Sequence, residues 1–230
     1  MSNASKVLLD KMLISKFLDE HQDYYDQWEK SYIRNMSSSL SSHEKWTKDV
    51  LREIYDQLEM IPDDKNMYIT FMNLLENEFG IEGKNIIEVG GGIIPRLAER
   101  IHLKQKTGSI TVYDPRLGSD LESKDRFVLK REDFSKKTNV DGADIIIGLM
   151  PCKGAESLIA SATEHNIDFL VWLCEGGPHG DYFDFYESDE EWLSSMIYYA
   201  QRGVETHKMG KLKIKNMPEF SEYPIIYNRR

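Results

Sequence analysis

A chain of 230 residues, 40% hydrophobic and 30% charged, is long and apolar enough for one large globular domain, or for a domain with an appendage. The net charge of −10 argues against a broad nucleic-acid footprint, and no stretch approaches the ~20 apolar residues of a membrane span. Two cysteines make no disulfide framework and Met1 to Asp10 carry no signal-peptide core, so a cytoplasmic location without membrane contact is expected.

Residues 5–34 read as helix. Val7, Leu8, Met12, Leu13, Phe17 and Leu18 recur at near-helical spacing, and Tyr24, Tyr25, Trp28 and Tyr32 continue the face as an aromatic stripe. The serine cluster Ser37 to Ser42 breaks the pattern. A second helix is expected from about Glu44 to Met60, with Trp46, Val50, Leu51, Ile54, Tyr55 and Leu58 on one side. Pro62-Asp63-Asp64 signals a turn, and a third helix from about Asn66 to Phe79 stops at Gly80. The aromatic stripe suits core packing against the next domain. The alternative is a lid, with Tyr24, Tyr25 and Trp28 walling a substrate pocket.

From Lys84 the grammar changes. Asn85 to Val89 is short and β-branched, as a buried parallel strand should be. Gly90-Gly91-Gly92 follows, then Pro95, which suits a first helical position. Glycines allow positive φ and close approach of a ligand to the backbone, and the free N–H groups of the helix face whatever lies over the turn. Glu88, at the end of the strand, would repel a phosphate but attract a cation or accept hydroxyl hydrogen bonds. The pattern Glu88-x-Gly90-x-Gly92 resembles motif I of the class I S-adenosylmethionine (SAM)-dependent methyltransferases, and the resemblance covers residues 84–230. Ile94 stands where that family often has a third glycine. A nicotinamide-binding fingerprint would have glycine or alanine in place of Pro95.

The rest of the chain alternates strands and helices. A helix is expected from Pro95 to about Lys104, and strands over Ser109–Tyr113, Arg126–Lys130 and Ala143–Leu149. A helix over 154–165 and a strand from Ile167 to Cys174 come next. Ser188 caps a helix running to about Arg202, with acids loading its first turn. Val204–Met209 and Tyr223–Asn228 read as closing strands, with Lys211 to Lys215 a further candidate between them. Such alternation predicts a doubly wound, mostly parallel sheet. The methyltransferase resemblance implies a seven-stranded Rossmann-like sheet with one antiparallel strand near its end. Residues 1–83 are accordingly expected as an N-terminal helical cap, and 84–230 as the SAM-binding domain.

Asp114 ends the second strand, where an acid can take both ribose hydroxyls of a nucleoside. The resemblance implies that role for it with SAM. An acid after the third strand, Asp133 or its neighbour Glu132, is implied at the adenine amino group. Gly148-Leu149-Met150-Pro151 ends the fourth strand, where similar enzymes carry an acid or asparagine before prolines. Only Pro151 matches, which counts against transfer to an exocyclic amino group. Leu149 and Met150 are expected to border the cofactor with Glu88, Gly90, Gly91, Gly92, Asp114 and Asp133. RNA cytosine-C5 methyltransferases are similar in placing Pro-Cys after strand four and a second cysteine after strand five, as Pro151-Cys152 and Cys174 stand here. The missing acid at Leu149 favours buried, inert thiols instead.

After the fifth strand, Glu175-Gly176-Gly177-Pro178-His179-Gly180-Asp181 offers two carboxylates and an imidazole in a glycine-rich loop. Glu175, His179 and Asp181 are the catalytic candidates, with His179 suited to general-base work. The histidines show no metal-ligand spacing. The expected protein is a SAM-dependent methyltransferase acting on a small molecule or a protein side chain, with nucleic acid disfavoured as partner. The alternatives are a non-catalytic SAM-fold binding protein and an NAD(P)-dependent oxidoreductase.

Overall fold

The structure is a computed structural model that describes residues 67–92, 95–104, 106–118, 121–151, 154–174 and 188–230. The expected helices over 5–34 and 44–60, with their aromatic stripe, lie outside the described residues, as do Cys152 and the loop carrying Glu175, His179 and Asp181.

Met67–Arg230 forms one compact unit. It opens with α1 (Met67–Phe79), whose Phe71, Leu74, Leu75 and Phe79 are buried. Gly80 ends the helix at φ +63° and donates its N–H to the Glu76 carbonyl at 2.9 Å. Then come β1 (Asn85–Val89), α2 (Arg96–Leu103), β2 (Ser109–Tyr113), β3 (Phe127–Lys130), β4 (Ile145–Leu149), α3 (Gly154–Glu164), β5 (Asp168–Trp172), α4 (Asp189–Thr206), β6 (Lys213–Met217) and β7 (Ser221–Asn228).

The strands form one sheet in the order β3-β2-β1-β4-β5-β7-β6. β1 to β5 pair in parallel, and β7 runs antiparallel to both β5 and β6. This is the doubly wound, mostly parallel sheet that the strand–helix alternation predicts, with the seven strands that the resemblance implies. Pro224 lies in β7 without an N–H to give. The β6–β7 register shifts between Lys215 and Met217, so the ladder is already interrupted opposite the proline.

Period-two alternation sends neighbouring side chains to opposite faces. Ile145 and Ile147 join a core with Ile86, Ile110, Val112, Leu170, Trp172, Ile225 and Tyr227, covered by α1 and by Leu97, Ala98 and Ile101 of α2. Ile146 joins the other core with Ile87, Val89, Phe169, Val171 and Ile226, covered by α3 and α4. Both faces are thus dry, which explains why β4 and β5 read as continuous apolar runs. Each wholly buried Phe or Leu, such as Phe71 and Leu75, contributes ~2 kcal/mol of burial.

One expectation is corrected. Residues 204–206 end α4 instead of starting a strand, and the strand that closes the sheet beside β7 is Lys213–Met217. Met196, Ala200 and Val204 are all buried at a spacing of four, so helical packing on the sheet overrides the strand preference of Val204 and Thr206. Among the described residues, no helix is long and apolar enough to cross a membrane.

Candidate functional site

The strand order reverses between β1 and β4, and ligands of such sheets collect at the carboxyl ends of the strands beside that reversal. The glycine turn follows β1 there, and Leu149-Met150-Pro151 faces it from the end of β4. Gly90 has φ +81°, and a Cβ on it would stand 2.7 Å from Pro151 Cα. A Cβ on Gly91 would stand 2.4 Å from Val112 Cγ1 and 3.1 Å from Pro95 Cβ. Gly92 has φ +73°, and no described atom lies within 4 Å of where its Cβ would be. Two glycines are therefore demanded by the protein's own packing, while the third meets no described atom on its side of the turn.

Hydrogen bonds tie the turn to the neighbouring strand. Gly90 donates its N–H to the Tyr113 carbonyl at 2.9 Å. Gly92 donates its N–H to Asp114 Oδ2 at 2.8 Å. Asp114 also receives three bonds from Arg116: the backbone N–H at 2.7 Å and Nε at 3.1 Å on Oδ1, and Nη2 at 3.0 Å on Oδ2. Burial pushes the Asp114 carboxyl up, but the Arg116 and Gly92 donors and the guanidinium charge outweigh it and hold the group below its usual value.

Glu88 is 3% exposed and accepts the Ala98 N–H of α2 at 3.1 Å. It thus serves one of the free donors at the start of that helix. Burial pushes its carboxyl up to about 8, opposed by the Ala98 N–H and reinforced by the charges of Asp114 and Glu99. Glu88 consequently carries a proton at neutral pH, which the sequence does not disclose. Pro95 stands one position before its expected place, as the residue preceding the first turn of α2.

Leu149 and Met150 are half-buried and pack against the α1-side core. Met150 has φ +53°, a left-handed conformation uncommon for its type, and donates its N–H to the Trp172 carbonyl at 2.9 Å. Asp133 and Glu132 are both exposed beyond β3, and the Glu132 charge helps to raise the nearby Tyr113 hydroxyl, behind burial as the larger cause. Cys174 is buried. Among the described residues no group of three or more His, Cys, Asp or Glu side chains could hold a metal ion.

The structure thus brings Gly90, Gly91, Gly92 and Asp114 together at the carboxyl ends of β1 and β2, with Pro151 against Gly90 and with Leu149 and Met150 at the end of β4. Sequence reasoning missed Arg116 and the packing role of Pro151. The signal for Arg116 was its place two residues after an acid in an Asp-Pro-Arg turn, where its own N–H and side chain can fold back on the carboxylate.

Sheet order, the single antiparallel strand and the glycine turn after β1 are those that the resemblance to class I SAM-dependent methyltransferases implies. No protein-family model matches the sequence, and no curated protein matches it. Among solved structures, the chain is similar to the plantazolicin methyltransferase BpumL in complex with a pentazolic desmethylPZN analog and SAH (13% identity, TM-score 0.49, covering 88% of this chain and 96% of that one). It is also similar to the 23S rRNA methyltransferase ErmE (15%, 0.43, 70% and 67%) and to a possible exported protein from Bordetella parapertussis (10%, 0.48, 100% and 97%).

Proposed function

We propose that the protein binds SAM in the crevice between β1, β2 and β4 and transfers its methyl group to a small molecule or a protein side chain. The observation that carries this reading is the link from Gly92 to Asp114, which sets a buried acid beside a glycine turn at the sheet's reversal point. The residues fit a nucleoside. No described atom stands within 4 Å of where a Gly92 Cβ would be, and Asp114 is a buried acid held at the end of the adjacent strand. Glu88, held neutral by burial up to about pH 8, places no formal charge beneath the turn.

In this reading Asp114 takes the ribose hydroxyls, Asp133 the adenine amino group, and the glycines the chain linking ribose and sulfur. Leu149 and Met150 line the approach to the methyl group. When bound, SAM supplies an electrophilic methyl on a sulfonium, so the protein's work is to orient an acceptor and remove its proton. Glu175, His179 and Asp181 are the candidates for that proton, with His179 the preferred base. The N-terminal segment expected as a cap is assigned to acceptor recognition or cover.

A second reading, a binding module without turnover, is favoured by one feature: β4 ends in Leu149-Met150-Pro151, with no polar side chain to hold an acceptor. Calorimetry with SAM and S-adenosylhomocysteine, beside an NADH fluorescence titration, tests the cofactor. Binding of NADH with no response to either adenosyl compound reverses the proposal. Adenosylhomocysteine binding without methyl transfer to any member of a broad acceptor panel selects the module.

A further inference from the structure

The Asp114 carboxylate is saturated. A carboxylate offers about four lone-pair positions, two on each oxygen. Oδ2 accepts from Gly92 N and Arg116 Nη2, and Oδ1 from Arg116 N and Arg116 Nε. The two backbone donors belong to the turns on either side and fix the carboxylate in place. The other two donors come from a single long side chain, one on each oxygen. That side chain is 64% exposed, whereas the Asp114 side chain is 2% exposed.

We propose that Arg116 is a displaceable latch on the nucleoside site, its guanidinium holding the two acceptor positions that a ribose diol needs. The inference rests on the reading that Asp114 receives a ribose. Swinging Arg116 out frees one position on each oxygen, which is what two vicinal hydroxyls require, while Gly92 and the Arg116 backbone keep the carboxylate aimed. The guanidinium already meets water over most of its surface. What the ligand must replace is a two-pronged, charge-assisted contact to a buried acid, stronger than an ordinary surface pair. Ligand and guanidinium therefore compete, and the latch keeps the empty acid neutralised at the expense of affinity.

The competition predicts tighter binding when the latch is removed. Wild type, Arg116→Met and Arg116→Lys are titrated with S-adenosylhomocysteine by calorimetry, and folding of each is checked by thermal melting. Arg116→Met, which keeps the stem but offers no donor, is expected to bind about tenfold tighter than wild type. Arg116→Lys, a single point donor that cannot bridge both oxygens, is expected to fall between them and also covers the case in which the methionine variant does not fold. With uncharged adenosine as probe, wild-type affinity should rise with ionic strength while that of Arg116→Met stays flat, a difference that loss of a merely structural contact would not produce. Variants that bind equally or more weakly than a binding wild type overturn the latch and leave the nucleoside site standing. Absence of binding by wild type and variants alike overturns both.

Discussion

At the scale of single residues, the two buried acids of the crevice pull in opposite directions with pH. Glu88 keeps its proton in the folded state up to about pH 8, against an ordinary value of 4.5. Between those limits the folded chain binds more protons than the unfolded one, so stability falls as pH rises through the window, by up to ~1.4 kcal/mol per pH unit. Glu88→Gln cannot ionise, and its denaturant midpoints should lose that slope. A wild-type profile that is flat or rising from pH 4.5 to 8 would contradict the assignment. Asp114 has the reverse sign: its carboxyl lies below 3.8, so its stabilising contribution is full above that value and is lost only as pH falls beneath it. Asp114→Asn keeps the size but gives up one acceptor oxygen, and its affinity for adenosylhomocysteine should drop about tenfold or more. The glycines separate packing from binding. Gly90→Ala meets Pro151 backbone at 2.7 Å in a left-handed conformation and should lose ~2 kcal/mol or more of stability. Gly92→Ala has room for its methyl among the described residues, so it should cost ~1 kcal/mol of backbone strain while obstructing ligand on the open side, read by comparing melting with titration.

At the scale of elements, capping chemistry was the most faithful guide. Ser188 accepts the Glu191 N–H at 3.2 Å and starts α4 where its sequence signature placed it. Ser188→Ala should therefore lower stability by ~1 kcal/mol, and an unchanged chemical-denaturation midpoint would argue against the cap. The strands from β1 to β5 were legible because a parallel sheet covered on both faces leaves short β-branched runs bounded by turn residues. The end of α4 was not. Val204 and Thr206 carry strand propensity, and only the buried series Met196, Ala200, Val204, which needs the sheet to be present, reveals the helix continuing. The same limit governs the site. Motif spacing points to Gly90, Gly92 and Asp114, but not to the saturation of Asp114 or the neutral state of Glu88, because both follow from burial and from donors brought together by the fold.

At the scale of the molecule, α1 belongs physically to the sheet. Phe71, Leu75, Phe79 and the following Ile81 share one core with Ile86, Leu170 and Tyr227, and Phe79 meets the Tyr227 ring edge-on at 6.1 Å. A fragment starting at Met67 should unfold cooperatively, whereas one starting at Lys84 should expose that core and lose native-like melting. Equal stability of the two would show α1 to be dispensable. β6 has a consequence of another kind. All but its last residue are exposed, it pairs with β7 alone in the described sheet, and it carries Lys213 and Lys215 with Lys211 just ahead. Lys213 is paired with Glu78 at 2.6 Å, so Lys211 and Lys215 are the edge charges that two copies meeting rim to rim would set against one another. Acetylating Lys211 and Lys215 should invite copies to zip together along this strand.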